Sequence, residues 1–209
     1  MMILDKFLSL PVEKQTAIID AALKSFGING YKKTSASDIA AAAGISKAMV
    51  FHYFGTKKAL YLYLIHYSIN IIMKEVNEKF DKTITDFFER IIQSSNIEIA
   101  VLKKHPALLS FIKSAYFETD EEVAEEVKAL YLGSEGENFR NKIAFEGMDA
   151  SKFKDGIDIK LVMKMLLWLA EGFMSQFPTK SDLDPDRFCD EFYQCMDLLK
   201  NNLYKEEYL

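Results

Sequence analysis

The sequence is poor in the residues that mark several protein classes. It has only two cysteines among 209 residues, and the spacing of Cys189 and Cys195 favours neither a disulfide nor a metal site. The longest apolar run, counting tyrosine, is Ala59 to Ile65, far short of a bilayer span. Asp5 and Lys6 interrupt the apolar first residues, so no secretory signal is predicted. We therefore expect a globular, cytoplasmic protein with no membrane partner.

Charge is distributed unevenly along the chain. The net charge of −5 argues against a nucleic-acid partner, because binding to phosphates needs positive surface. However, the first 60 residues hold eight basic and four acidic residues, whereas the remainder holds 18 basic and 27 acidic ones. This segregation predicts a basic binding module followed by an acidic body.

The basic segment shows the pattern of a helix-turn-helix. Apolar spacing predicts a helix over Val12 to Phe26, then two short helices joined by a glycine turn, then a long helix over Lys57 to Lys79. Ser37 is predicted to cap the first short helix and Ser46 the second. The turn and boundary residues are Gly27, Gly30, Gly44, Gly55 and Thr56.

The rest of the sequence also favours helices. They are predicted over Thr83 to Lys103, Pro106 to Phe117, Asp120 to Leu132, Phe139 to Phe145, Ile159 to Phe177 and Asp184 to Tyr204. No strand pattern occurs in the sequence. We predict an all-α fold with a three-helix helix-turn-helix domain over residues 1–56 and a helical-bundle effector and dimerisation domain over residues 57–209.

The second short helix has two different faces. At about 100° per residue, Val50, Phe51 and Phe54 share one arc, which we predict to be core. Ala48, Met49, His52 and Tyr53 share the other, which combines small, apolar and hydrogen-bonding side chains suited to a major groove. Phosphate contacts on either side are predicted for Thr34, Ser35, Ser37, Lys47 and Lys57. Alternatively, Ser37, Ser46 and Thr56 serve only as helix caps, and the exposed aromatic residues pack on a neighbouring helix.

A family resemblance favours the functional interpretation. The segment from residue 34 to residue 57 resembles the DNA-binding module of the tetracycline-repressor-like (TetR) family in order and spacing: Thr34-Ser35-Ala36-Ser37-Asp38-Ile39-Ala40, then Ala43-Gly44-Ile45-Ser46-Lys47-Ala48-Met49-Val50-Phe51-His52-Tyr53-Phe54-Gly55-Thr56-Lys57. The match covers about the first quarter of the chain, and the remainder is similar only in size and helix succession.

The resemblance implies a homodimeric repressor that binds a palindromic operator and releases it when a small molecule binds the C-terminal domain. It assigns phosphate or base contacts to Thr34, Ser35, Ser46, Lys47, His52, Tyr53 and Lys57. Two positions depart from the family pattern. Phe51 stands where tyrosine is frequent and lacks its hydroxyl, and Ala48 stands where glycine is common.

The last two predicted helices suit a dimer interface. The helix from Ile159 is apolar around most of its circumference, and the one from Asp184 carries an apolar stripe. Paired with their copies they form a four-helix interface, in which we place Leu166, Phe173, Phe188, Phe192 and Met196. The alternative is a purely intramolecular core.

Effector contacts are less marked in the sequence. Aromatic residues suited to an apolar cavity include Phe87, Phe111, Tyr116, Tyr131 and Trp168, although each of them also suits ordinary core packing. His66 and His105 have no second ligand at metal spacing, so neither a metal nor a cofactor is predicted.

Two other classes of protein compete with a regulator. An enzyme is disfavoured because no nucleophile elbow, phosphate loop, histidine pair or carboxylate pair has recognisable spacing. A helical carrier of apolar ligands is the second alternative. Sequence-selective, salt-sensitive binding to duplex DNA would separate a regulator from a carrier.

Overall fold

The computed structural model describes residues 3–176 and 185–209. Within these ranges the chain forms helices, short 3₁₀ turns and one isolated bridge between Phe153 and Tyr204, without a β-sheet. This confirms the all-α fold. The helices are α1 (Ile3–Leu8), α2 (Val12–Lys33), α3 (Ala36–Ala42), α4 (Lys47–Phe54), α5 (Lys57–Lys79), α6 (Phe87–Lys104), α7 (Pro106–Tyr116), α8 (Ala124–Leu132), α9 (Ser134–Phe145), α10 (Ile159–Gln176) and α11 (Pro185–Leu203). None of these described helices is both long and apolar enough to cross a membrane.

Helix α2 is longer than the sequence predicts. It continues through Gly27 to Lys33, with a kink at Gly30, whose φ of 71° lies in the left-handed region that glycine adopts without strain. Gly27 lies inside the helix, and its lack of a side chain lets α7 approach closely: a Cβ on Gly27 would lie 2.8 Å from the Ser110 hydroxyl oxygen. The expectation that Gly27 ends the helix is therefore wrong, and its role is close helix packing.

The chain divides into two compact units. The first runs to Ile72 and resumes over Lys104–Gly136, and the second comprises Met73–Lys103 and Glu137–Leu209. In the first unit, α2 packs along α7, and α4 lies between α3 and α1. A functional boundary after residue 56 stays a prediction, because these units describe compactness and not function.

The core of the second unit is aromatic and apolar. Phe87 and Phe88 pack with Phe153 and Tyr204, and Leu166 and Met196 bring α10 and α11 into the same cluster. A buried ion pair borders this core: the Asp86 carboxylate is 4% exposed and lies 3.0 Å from Lys152 Nζ and 3.4 Å from Lys200 Nζ.

Candidate DNA-binding site

The turn between α3 and α4 has the geometry of a helix-turn-helix. Gly44 occupies the turn with a φ of 66°, and Ser46 caps α4 by accepting a hydrogen bond from the Met49 amide at 3.3 Å. Ser46 is therefore confirmed as an N-cap. Its exposed position also leaves the N-terminus of α4 open to an anion.

Helix α3 is capped by Ser35, so the expectation that Ser37 caps it is wrong. The Ser35 hydroxyl oxygen accepts from the Asp38 amide, and the Asp38 carboxylate accepts from the Ser35 amide at 3.0 Å, which forms a capping box. Hydrogen bonds from Ser35 hold the pKa of Asp38 below its ordinary value. Ser37 lies exposed in the first turn.

The exposed face of α4 differs from the predicted one. Lys47, Ala48, Phe51 and His52 are exposed, whereas Val50, Tyr53 and Phe54 are buried and Met49 is half-buried. Phe51 therefore faces outward and Tyr53 inward, the reverse of the sequence expectation. On the buried side of α4, the Phe7 ring of α1 packs against the rings of Tyr53 and Phe54.

Two predicted phosphate contacts have internal partners instead. Thr34 is only 2% exposed, and its hydroxyl lies within hydrogen-bonding distance of two acceptors, the Gly30 and Ser25 carbonyl oxygens. Lys57 Nζ donates to the Tyr31 carbonyl oxygen at 3.1 Å and lies 4.1 Å from the centre of the Tyr31 ring. In this conformation Thr34 is not a surface residue, and the Lys57 ammonium group helps to hold α5 against the end of α2.

The predicted effector residues fall into both units. Phe87 and Phe111 are fully buried, the first in the core of the second unit and the second beside Phe26 and Tyr61 in the first. Tyr116 and Tyr131 are half-buried neighbours with ring centres 5.7 Å apart, and burial raises the pKa of Tyr131. A common effector site for these residues stays a prediction.

The predicted dimer residues are partly corrected. Leu166 and Met196 are 6% and 2% exposed and belong to the core of the second unit, so they are not surface residues. Phe192 is half-buried against the same core, and Phe173 is half-buried. The side chain of Phe188 lies outside the part of the chain that the structure describes.

Other apolar residues of α10 are exposed, including three on one side of the helix. We call these three the α10 stripe: Leu161, Met165 and Trp168, which are 48%, 39% and 55% exposed. The spacing of four and three residues places them on one side of the helix. The sequence predicts that Trp168 lines an apolar effector cavity, but its side chain is exposed and belongs to the α10 stripe.

Comparison with known proteins bears on the function of this arrangement. Residues 18–64 match the family described as bacterial regulatory proteins, tetR family. The fatty acid metabolism regulator protein of Bacillus subtilis (strain 168) is 24% identical over 164 residues, which are 73% of this chain and 77% of the relative.

Two solved structures show the same fold. A TetR family transcriptional regulator from Chloroflexus aurantiacus is 21% identical, with a TM-score of 0.69 over 97% of this chain and 98% of the other. The regulator FadR from Bacillus subtilis, solved with stearoyl-CoA, is 19% identical, with a TM-score of 0.70 over 87% of this chain and 96% of the other.

The helix-turn-helix over α3 and α4 lies inside the segment that matches the tetR regulators, and the described remainder of the chain is helical, as in the two solved structures. The matched segment is a DNA-binding module of the tetR family, and the comparisons together support a transcription regulator of that family. They support a regulator and not an enzyme, and they disfavour the carrier alternative. Helix α1 and the side chain of Phe7 lie before the matched segment and are missing from the sequence prediction, although Ile3, Phe7 and Leu10 at helical spacing before Pro11 carry a signal for them.

Proposed function

We propose that the protein is a homodimeric repressor that reads a palindromic operator with α4 and releases it when an apolar effector binds. The observation that carries the DNA-reading part is the exposed face of α4, formed by Lys47, Ala48, Phe51 and His52. Lys47 supplies charge for a phosphate, His52 supplies hydrogen bonds to base edges, and Phe51 supplies an apolar surface for a thymine methyl group.

Binding to the DNA upstream of the protein's own gene tests the proposal, with a footprint to locate the operator and a scrambled duplex of equal length as the competitor. We expect His52→Ala and Phe51→Ala to weaken operator binding by roughly 1–3 kcal/mol each and to leave binding to the scrambled duplex unchanged. Equal losses on both duplexes would contradict a base-reading role.

A lysine pair separates phosphate contact from net charge. Lys47→Ala should weaken binding to both duplexes and lower the salt slope by about one, since one phosphate contact is lost. Lys128→Ala is the matched control, because it removes the same charge from an exposed site on α8. A control variant with the same salt slope as Lys47→Ala would rule out a local contact.

The dimer part of the proposal is supported by the α10 stripe and by Leu198 on α11, which is 64% exposed. Apolar side chains of this size, grouped on one helix face, favour cover by a second protein surface. A symmetric pair of subunits also matches a palindrome, because each recognition helix then reads one half-site. Light scattering that finds a monomer at micromolar concentration would contradict this part.

The effector part is supported by the relative named as a fatty acid metabolism regulator and by the FadR structure solved with stearoyl-CoA, so long-chain acyl-CoA, whose acyl chain is apolar, is the first compound to test. Helix α5 begins at Lys57, directly after the helix-turn-helix, and continues into the second unit beyond Ile72, so it joins the two units covalently. Thermodynamic linkage makes the coupling reciprocal: if acyl-CoA weakens operator binding by some factor, operator must weaken acyl-CoA binding by the same factor, typically about 5–150-fold. Calorimetry with and without saturating operator measures this, and an unchanged acyl-CoA affinity would exclude it as the inducer.

A further inference from the structure

Helix α4 is too short to hold its own orientation. It has eight residues, and isolated helices of about two turns are unstable in water. Its direction and its rotation about its axis are therefore set by the surfaces on which Val50, Tyr53 and Phe54 are buried. One of these surfaces is α1, which lies before the segment that matches the family.

Phe7 is the residue through which α1 contacts the inner face of α4. Its side chain is fully buried, with its ring centre 4.8 Å from that of Phe54, 5.7 Å from that of Tyr63 and 6.1 Å from that of Tyr53. The Tyr53 and Tyr63 contacts are edge-to-face, the geometry that aromatic quadrupoles favour. The sequence pattern places Tyr53 on the face of α4 that would meet DNA, but its side chain is only 7% exposed.

A side chain of α2 holds α1 in place. Gln15 Nε2 donates to the Leu8 carbonyl oxygen at 3.1 Å and to the Leu10 carbonyl oxygen at 2.8 Å. These are carbonyl groups at the end of α1, which no further helical turn satisfies. The short helix is thereby attached to α2 at one end and to α4 through Phe7.

We propose that α1 is the packing surface that fixes the orientation of the recognition helix α4, and that Phe7 is the positioning residue that sets the rotation of α4 about its axis. At about 100° per residue, Phe51 and Tyr53 point in nearly opposite directions. Burial of Tyr53 under Phe7 therefore directs Phe51 and His52 outward. The inference rests on the proposed reading of DNA by α4.

Phe7→Ala tests the proposal in the full-length protein, with Phe7→Leu as the conservative variant. The probe is a labelled duplex that the wild-type protein selects from a random pool, compared with a scrambled duplex, well below the unfolding temperature. We expect Phe7→Ala to lose roughly tenfold or more in affinity for the selected duplex, as for the loss of a base contact, and to keep its affinity for the scrambled one. Phe7→Leu should recover most of the selectivity.

Amide hydrogen exchange gives a readout that does not involve DNA. Phe7→Ala should increase exchange at Val50 and Phe54 and leave α7 unchanged. The stability control is Phe153→Leu, which trims a ring that is 4% exposed in the core of the second unit and should lower the unfolding temperature without changing selectivity. Equal losses on both duplexes, or unchanged exchange in α4, would overturn the proposal.

Two further outcomes are decisive. If Phe7→Ala is insoluble, Gln15→Ala releases α1 without a cavity among the rings, and it should lower selectivity at least about threefold; unchanged selectivity overturns the proposal. A wild-type protein that selects no duplex overturns the DNA-reading function itself. If the wild type is selective and Phe7→Ala is equally selective, the DNA-reading function stands and only the role of α1 in orienting α4 is overturned.

Discussion

In the first unit the exposed apolar side chains are scattered, whereas in the second they are concentrated on one helix. Leu8, Val12, Ile28 and Phe51 lie on three different helices of the first unit. In the second unit, α10 carries five of the exposed apolar residues: the three residues of the α10 stripe, with Leu167 and Leu169 beside it. Leu198 on α11 is also exposed. The difference agrees with the proposal that the two units have different partners: the first presents a mixed, partly polar helix face suited to DNA, and the second presents apolar side chains suited to another protein surface.

The cores differ as well. Rings such as Phe7, Phe26 and Tyr61 pack edge-to-face in the first unit. The second unit combines rings with buried charge: the Arg90 guanidinium is 2% exposed and donates to the Ile143 carbonyl oxygen at 2.7 Å. Among the residues that the structure describes, the first unit buries one charged residue, Lys113, which is 7% exposed, whereas the second buries two, Asp86 and Arg90. Charged groups in a core need satisfied partners, so polar contacts contribute to both cores.

The largest expected effect concerns the α10 stripe. Trp168→Glu places a charge at its most exposed residue, so the proposed dimer should dissociate. Operator affinity should then fall roughly 100-fold or more, because the two half-sites are no longer bound by one linked molecule. Light scattering and operator titration measure the two effects.

The matched control for this variant is Val12→Glu, which introduces the same charge at a 71% exposed apolar residue of the first unit. It should leave both mass and operator affinity unchanged. If Trp168→Glu and Val12→Glu change the mass and the operator affinity equally, the contrast between scattered and concentrated apolar residues has no functional meaning.

The next effect concerns the buried ion pair of the second unit. Asp86→Asn should lower the free energy of unfolding by about 2–4 kcal/mol at pH 7, because two lysines lose a desolvated partner that is only partly replaced by water. Asp155→Asn is the control, since the Asp155 carboxylate is fully exposed at 3.7 Å from Lys205, and such pairs contribute less than about 1 kcal/mol. Urea unfolding compares them, and similar losses would show that burial of Asp86 is irrelevant.

The same pair predicts a pH dependence. Burial alone raises the pKa of Asp86, but hydrogen bonds from Lys152 and the Glu89 amide, with the charge of Lys200, outweigh it and place the pKa below its ordinary value. The stabilisation is therefore present above about pH 4 and is lost as the pH falls through the folded-state pKa. The stability difference between wild type and Asp86→Asn should be constant from about pH 7 to pH 5 and shrink below about pH 4. A difference that grows on acidification would contradict this sign.

A smaller effect is expected at the close approach of α2 and α7 in the first unit. A Cβ on Gly27 would lie 2.8 Å from Ser110 Oγ and 3.0 Å from the Phe111 amide nitrogen. Gly27→Ala should therefore cost about 1–3 kcal/mol, in spite of the better helix propensity of alanine. Adding Ser110→Ala should recover only part of the loss, because the backbone of α7 remains in the way. Thermal unfolding that shows a stabilised Gly27→Ala variant would mean that the helices separate at little cost.

The smallest effect tests the cap of α3. Ser35→Ala removes the acceptor for the Asp38 amide and should cost about 1 kcal/mol. Ser37→Ala is the matched control two residues away and should change stability by less than about 0.5 kcal/mol, since Ser37 is exposed in the first turn. Chemical denaturation of both variants decides which serine is the cap, and the reverse order of effects would restore the sequence expectation.

Much of the fold follows from local sequence signals. Apolar periodicity predicts most helices, and Gly44, Ser46 and Gly55 locate the turn and the ends of α4 because their effects act over one helical turn. Competing local signals are less decisive. Gly27 and Gly30 both look like helix ends, but the first lies inside α2, where it lets α7 pack closely, and α2 continues past a kink at the second to Lys33.

The candidate site was predicted less completely because its residues have non-local partners. Lys57 is basic and near the recognition helix, yet its ammonium group lies against Tyr31, which is distant in sequence. Leu166 and Met196 are apolar residues on the two helices proposed to form the dimer, but they face the core of their own unit. Composition and spacing do not distinguish a core residue from an interface residue on helices of this kind.

The sequence alone therefore determined the succession of helices from α2 onward, the position of the helix-turn-helix and the segment that reads DNA in the family. Only the tertiary structure decided which side of each helix is exposed. Periodicity defines the angles between side chains on one helix, but the absolute direction depends on what packs against it. For α4 the neighbours are α3 and α1, whose Phe7 ring packs against the buried Tyr53, while Phe51 and His52 are exposed.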